Sequence, residues 1–173
     1  MKPKLNYKPG SQDCCQTPFY AIEPLLKFFP TYWHIWEPAA GEGNIVNALR
    51  SYGYQVTGTD ILLGQDFFRH QLTHWDGIIT NPPFSLKYKF LARCYQLDKP
   101  FALLLPVETL GAKSAQVLFE EFGIEIILLN KRIDFKMPNK GFGGSAQFPT
   151  AWFCFGLNIG QQLTFANIIK RPD

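Results

Sequence analysis

The stretch "WHIWEPAAGEGNIVNALRSYGYQVTGTD", residues 33–60, has the pattern of a strand, a glycine turn, a helix and a second strand. "WHIWEPAA" is apolar and reads as a buried strand. "GEGNIVNALRSYG" follows as a turn and a helix, with Ile45, Val46 and Leu49 on one face and Gly53 as its stop. "YQVTGTDI" then reads as the second strand. Two strands joined by a helix lie side by side and parallel.

The same alternation continues downstream. "DGIIT" is a third strand and "LKYKFLARCYQL" a helix; "PFALLLPV" is a strand and "GAKSAQVLFEEFG" a helix ended by glycine. "IEIILLNKRIDF" reads as one long strand, "KMPNKGFGGSAQFP" as a Gly- and Pro-rich loop, and "TAWFCFGLNI" as a last long strand. "QDFFRHQLTHW" reads as a loop with one helical turn. Upstream, Thr17 and Pro18 suit the start of an apolar helix, "TPFYAIEPLLKFF", which Pro24 threatens to split. Residues 1–16 are polar and read as a flexible arm, with one domain over 17–173. This order predicts an α/β fold with a mostly parallel sheet, helices on both faces and an antiparallel edge strand.

In a parallel sheet, ligands bind beyond the carboxyl ends of the strands. Gly41 and Gly43 sit at such an end and let a ligand approach the backbone. Glu37 beside them suits a cationic group better than a phosphate. The dinucleotide pattern is incomplete, because Val46 stands where its third glycine would be. Asp60, at the end of the second strand, suits the two hydroxyls of a ribose. Asp66 is placed to accept from an adenine amino group, with Phe67 against the ring. Together the three acids outline an adenosine that carries an amino-acid end, which is S-adenosylmethionine.

The third strand runs into "NPPF", Asn81 to Phe84. One proline would end a strand. Here Asn81 adds a side-chain carbonyl and Pro82 a backbone carbonyl held by restricted φ angles. Two such acceptors match the two hydrogens of a planar NH₂ group. Accepting both draws the nitrogen lone pair out of conjugation, and Phe84 is placed to stack on the ring that carries the amine.

On these motifs the chain resembles the class I S-adenosylmethionine-dependent amino-methyltransferases, and among them the small phage-type, gamma-ordered N6-adenine DNA methyltransferases. The resemblance runs from about Gln16 to Phe155. It implies a single Rossmann-like domain with a seven-stranded sheet. Gln16, Thr17 and Pro18 resemble the segment that closes over the methionine end of the cofactor. Glu37, Pro38, Ala39, Gly41 and Gly43 resemble the glycine-rich motif. Asp60 matches the ribose acid, Asp66 and Phe67 the adenine contacts, and Asn81, Pro82, Pro83 and Phe84 the catalytic motif. The implied activity is methyl transfer from S-adenosylmethionine to N6 of adenine in DNA. Asn-Pro-Pro-aromatic also serves RNA adenine-N6 and guanine-N2 amines and glutamine side chains, so RNA stays open as the polymer. A protein that keeps the cofactor pocket without catalysis is the reading from another class.

For the polymer, the loop after residue 135 supplies charge at Lys136 and Lys140 and rings at Phe142 and Phe148, with Lys131 and Arg132 just before it. Lys87 and Lys89 follow the catalytic motif as a second choice. The bulk numbers fit such a chain: 173 residues, 46% hydrophobic and 18% charged, make one globular domain, and a net charge of +3 permits a polyanionic partner. Its 16% aromatic content is high, and a surplus of rings often marks surfaces that stack flat ligands or bases. No apolar run suits a membrane span and no signal pattern opens the chain, so a cytoplasmic protein of a bacterium or a phage-infected cell is expected. The four cysteines include no C-x-x-C pair, and His70 and His74 lack a third ligand nearby, so no metal is expected.

Overall fold

A computed structural model describes residues 13, 15–137, 141–145 and 148–171, with backbone alone at 137 and 141–145. The elements are β1 (His34–Glu37), α1 (Asn44–Ser51), β2 (Gln55–Gly58), β3 (Gly77–Thr80), α2 (Lys87–Gln96), β4 (Phe101–Pro106), α3 (Lys113–Phe122), β5 (Glu125–Leu129), β6 (Asp134–Met137), β7 (Gly141–Ser145), β8 (Thr150–Phe155) and β9 (Leu163–Ala166). Seven strands form one sheet in the order β2-β1-β3-β4-β8-β5-β9, and β6 pairs with β7 in a separate hairpin. The β2-β1-β3-β4 part is parallel, as is β5 with β9; only β8 is reversed.

Period-two alternation divides the interior into two layers. Ile35, Ile79, Leu104, Ile127 and Trp152 face α1 and the N-terminal turns. Trp36, Ile78, Leu103, Ile126 and Phe153 face α2 and α3. Helices thus cover both faces, as expected. Trp152 is fully buried and its indole N–H donates to the carbonyl of Ala21 at 2.8 Å, which ties the N-terminal turns to the sheet.

Several expectations change in detail. The reversed strand β8 is not at an edge but between β4 and β5. The hairpin β6–β7 follows β5, so the chain re-enters the sheet from the end at which β5 left it and must run backwards. Residues 150–154 are buried at every position, the pattern of a strand covered on both faces. The edge belongs to β9, where half-buried and exposed positions alternate, and this strand was not expected. The long strand over 124–135 is two strands, because the chain bends at residues 130–132. There Asn130 turns its side chain to the N–H of Ile168, while its own N–H donates to Ala166.

The expected helix after Thr17 and Pro18 is a pair of 3-10 turns, Phe19–Ala21 and Glu23–Phe28. Pro24 has no N–H for an α ladder and its ring crowds the carbonyl four residues earlier. Of the expected arm, residues 1–12 and 14 lie outside the described residues. Gln16, its last residue, is bound to Lys136 of β6 by a backbone bridge.

Candidate active site

The ends of β1, β2 and β3 carry Glu37, Asp60 and Asn81, and the pairing of these three strands sets the acids and the amide side by side. The glycine turn is stitched down first. Thr59 donates its N–H to Glu37 at 2.8 Å, Ala40 donates to Thr59 at 3.0 Å, and Gly43 to Ala40 at 2.8 Å. Gly41 has φ +53° and Gly43 φ +88°, left-handed values that glycine takes without strain. Gly58 is a position that sequence reasoning missed. A Cβ there would meet the Val46 side chain at 2.8 Å, so its absence lets α1 and the turn lie close on β2.

Glu37 is wholly buried. Its Oε1 accepts from the N–H of Ala39 at 2.9 Å and from the hydroxyl of Thr80. Its Oε2 is buried with no partner among the described residues. Burial pushes the carboxyl up to about 8 from an ordinary 4.5, with the nearby Asp60 charge adding to it, against the two hydrogen bonds. Thr80, a polar residue closing an apolar strand, was not singled out in the sequence. It is both Glu37's partner and Asn81's neighbour in the chain.

Asp60 uses both oxygens on backbone. Oδ2 accepts from Gly41 N–H and Oδ1 from Leu62 N–H, each at 2.8 Å. A carboxylate has about four acceptor sites, which leaves capacity for a ligand. Asp66 accepts from the N–H of Phe68 at 3.0 Å and lies 3.7 Å from the Arg69 guanidinium.

Phe67 does not offer the ring surface expected of an adenine contact. It is a core residue, 3% exposed, stacked on Phe90 at 4.8 Å and edge-on to Trp36 at 5.2 Å. Its place in an aromatic cluster explains its burial. The apolar surface at this end of the sheet is instead Ile61, Leu62 and Leu63, three exposed aliphatics directly after Asp60.

Asn81 is half-buried. Its Nδ2 donates to the carbonyl of Cys15 at 3.4 Å, and its Oδ1 is buried with no partner among the described residues. Pro82 is buried and Pro83 half-buried, with φ −53° and ψ 122° at Pro83. Phe84 is half-buried, its ring 5.6 Å from that of Phe148 and 6.5 Å from Phe135. The structure thus brings Phe84 and Phe148 together. Thr17 is buried, its hydroxyl without a partner among the described residues, and Pro18 is buried beside it. Gln16 Oε1 accepts from the N–H of Glu42 in the glycine turn at 3.2 Å. Pro38 is buried and Ala39 half-buried within that turn.

The chain matches no family model, and no curated protein matches it. Solved structures do. A candidate class I S-adenosylmethionine-dependent methyltransferase from Listeria monocytogenes superposes with a TM-score of 0.57 at 17% identity, over 95% of this chain and 68% of that one. This is the class I methyltransferase fold. The modification subunit of a candidate type I restriction enzyme from Vibrio vulnificus YJ016 shares it, with a TM-score of 0.55 at 14% identity, over 81% of this chain and 44% of that one. The glycine turn, Asp60 and Asn81 all lie at the carboxyl ends of parallel strands, the end at which open α/β sheets generally bind ligands.

Of the residues expected to meet the polymer, Lys136 is bound to Glu42, Nζ to Oε2 at 2.9 Å. Lys140 and the Phe142 side chain lie outside the described residues. Lys131 and Arg132 are exposed just past the end of β5, with no ion pair among the described residues. Lys87 pairs with Glu108 at 3.4 Å. Among the described residues no group of three or more His, Cys, Asp or Glu is placed to hold a metal, and no helix is long and apolar enough to cross a membrane.

Proposed function

We propose that this chain transfers a methyl group from S-adenosylmethionine to the exocyclic N6 amine of adenine in DNA. The observation that carries the reading is the Oδ1 of Asn81 at the end of β3, buried without a partner among the described residues. A buried acceptor without a partner costs about 1–3 kcal/mol, so one at the end of β3 calls for an explanation. An incoming NH₂ group satisfies it.

The cofactor fits on the same kind of evidence. Glu37 Oε2 and the Thr17 hydroxyl are also buried without partners among the described residues. Glu37 and Thr17 would hold the amino-acid end, Gly41 and Gly43 the backbone approach, and Asp60 the ribose. Ile61 to Leu63 replace Phe67 as the apolar surface for the purine. Bound there, S-adenosylmethionine supplies an electrophilic methyl group on a positively charged sulfur.

The chain's own residues do the rest. Asn81 Oδ1 and the Pro82 carbonyl accept the two amine hydrogens and draw the nitrogen toward a tetrahedral shape. During transfer of the methyl group the same acceptors would stabilise the positive charge that builds on the nitrogen, and its extra proton would pass to water. Phe84 and Phe148 present rings to the target base.

The direct test incubates the protein with methyl-labelled cofactor and separate DNA, RNA and protein pools, then digests each and identifies the methylated species by mass. N6-methyldeoxyadenosine is the expected product. Label confined to RNA purines would move the polymer assignment to RNA. Label in no pool, with the cofactor bound, would leave the non-catalytic reading.

The polymer surface has its own expected result. Lys136 is paired with Glu42, so the described cations just past the end of β5 that lack an ion pair among the described residues are Lys131 and Arg132. Replacing both with Gln should lower the slope of log affinity against log salt by about one to two, roughly one for each phosphate no longer neutralised. Lys136→Gln should change it less. Anisotropy titrations of a labelled duplex across salt concentrations compare the two; a larger drop in slope from Lys136→Gln would return the phosphate-binding role to β6.

A further inference from the structure

Residues 15 and 16 link three parts of the site. Gln16 pairs with Lys136 of β6 through both backbone groups, its N–H donating at 2.9 Å and its carbonyl accepting at 3.0 Å. Its side-chain Oε1 accepts from Glu42 N–H in the glycine turn at 3.2 Å. Its Nε2 lies over Gly41, in space that a Cβ would need. One residue earlier, the Cys15 carbonyl accepts from Asn81 Nδ2 at 3.4 Å.

The bond from Asn81 to Cys15 decides what Asn81 can do. A side-chain amide has a donor end and an acceptor end, and half a turn about its last torsion exchanges them. With Nδ2 on the Cys15 carbonyl, Oδ1 is left as the buried acceptor. The reversed amide would set two oxygens against each other and present N–H groups to a target amine that needs acceptors. The Cys15 carbonyl is a backbone atom, so its place depends on how the next residue is held. Gln16 is held on both sides, by β6 through its backbone and by the glycine turn through its side chain.

We propose that Gln16 is a positioning residue, which keeps the Asn81 amide in its acceptor-inward orientation by pinning the 15–16 backbone between the glycine turn and β6. This rests on the methyl-transfer reading above and adds a role for Gln16 distinct from contact with the cofactor.

Gln16→Met keeps the length and the bulk over Gly41 but has no acceptor for Glu42 N–H. Gln16→Glu restores one. At saturating cofactor, Gln16→Met should lower kcat about tenfold, the equivalent of one missing hydrogen bond, with the KM for the target changed by less than about threefold. Gln16→Glu should recover most of that activity. A second readout needs no turnover: by NMR, the side-chain amide protons of Asn81 should exchange with solvent about tenfold faster in Gln16→Met than in the wild-type protein. A folded Gln16→Met protein with unchanged kcat and unchanged exchange overturns the proposal, as does a Gln16→Glu protein as impaired as the Met variant. If the wild-type protein methylates no amine, the functional reading fails, and the exchange comparison still decides whether Gln16 holds the amide.

Discussion

Asn81→Ala should give a folded protein that still binds cofactor but transfers methyl groups about 10²–10³-fold more slowly, the usual effect of removing one preorganised polar group that acts in a transition state. Oδ1 makes no hydrogen bond to the described residues, so its removal deprives the fold of nothing there. The substitution breaks the 3.4 Å hydrogen bond from Nδ2 to Cys15. Pro82 and Pro83 still end the strand. The fold should therefore weaken by no more than about 1 kcal/mol. If Asn81 were only a strand-ending residue, the same substitution would be silent in turnover. Phe84→Ala behaves differently, because its ring lies against Phe148 and Phe135. It should weaken target binding by about 1–3 kcal/mol if the ring stacks on the base. Single-turnover rates beside thermal melts on both variants separate chemistry from packing. A stable Asn81→Ala protein with wild-type turnover would remove the main support for an amine methyltransferase.

The second large effect is a pH dependence that disappears in Glu37→Gln. The Glu37 carboxyl is raised by burial to about 8 in the folded protein, against 4.5 as its ordinary value. The folded protein therefore holds this proton more tightly than the unfolded chain does. Its contribution to stability is fully present below about pH 4.5 and is lost as pH rises toward 8. The slope from this one group approaches about 1.4 kcal/mol per pH unit inside that window. Glutamine keeps the acceptor for Ala39 and Thr80 and cannot ionise. Melts of ligand-free protein at about pH 5, 6.5 and 8 should show the variant gaining on the wild type by a few kcal/mol as pH rises.

Cofactor binding should move the other way. A carboxylate facing an ammonium is worth about 1.5–3 kcal/mol as a charged hydrogen bond, so Glu37→Gln should weaken it by about one to two orders of magnitude. Parallel pH profiles for the two proteins would mean that Glu37 is not the buried acid in question. Unchanged calorimetric affinity would take the methionine end of the cofactor elsewhere.

Much of the candidate site is legible in the sequence because its parts lie at strand ends, and strand ends are written in local chemistry. Gly41 and Gly43 follow an apolar run, Asp60 follows "YQVTGT", and the prolines mark where β3 stops. Phe67 misled because an aromatic next to an acid looks the same in sequence whether it faces a ligand or a core. Trp36 and Phe90, far from it along the chain on either side, take up its ring. Lys136 looks like a free cation in sequence for a related reason: its partner, Glu42, is 94 residues away.

Local pattern sufficed for the strand–helix alternation, the parallel half of the sheet and the strand ends that carry the candidate site. Periodicity, glycine stops and proline breaks act over a few residues and need no partner to be recognised. Folding settled where β8 is inserted, that β9 exists, and that Oε2 of Glu37 and Oδ1 of Asn81 are left without partners among the described residues. Each of these depends on which distant surfaces meet. The order of strands follows from burial on two faces at once, and the unpartnered acceptors from what packs around them. Neither quantity is a property of any short stretch of chain.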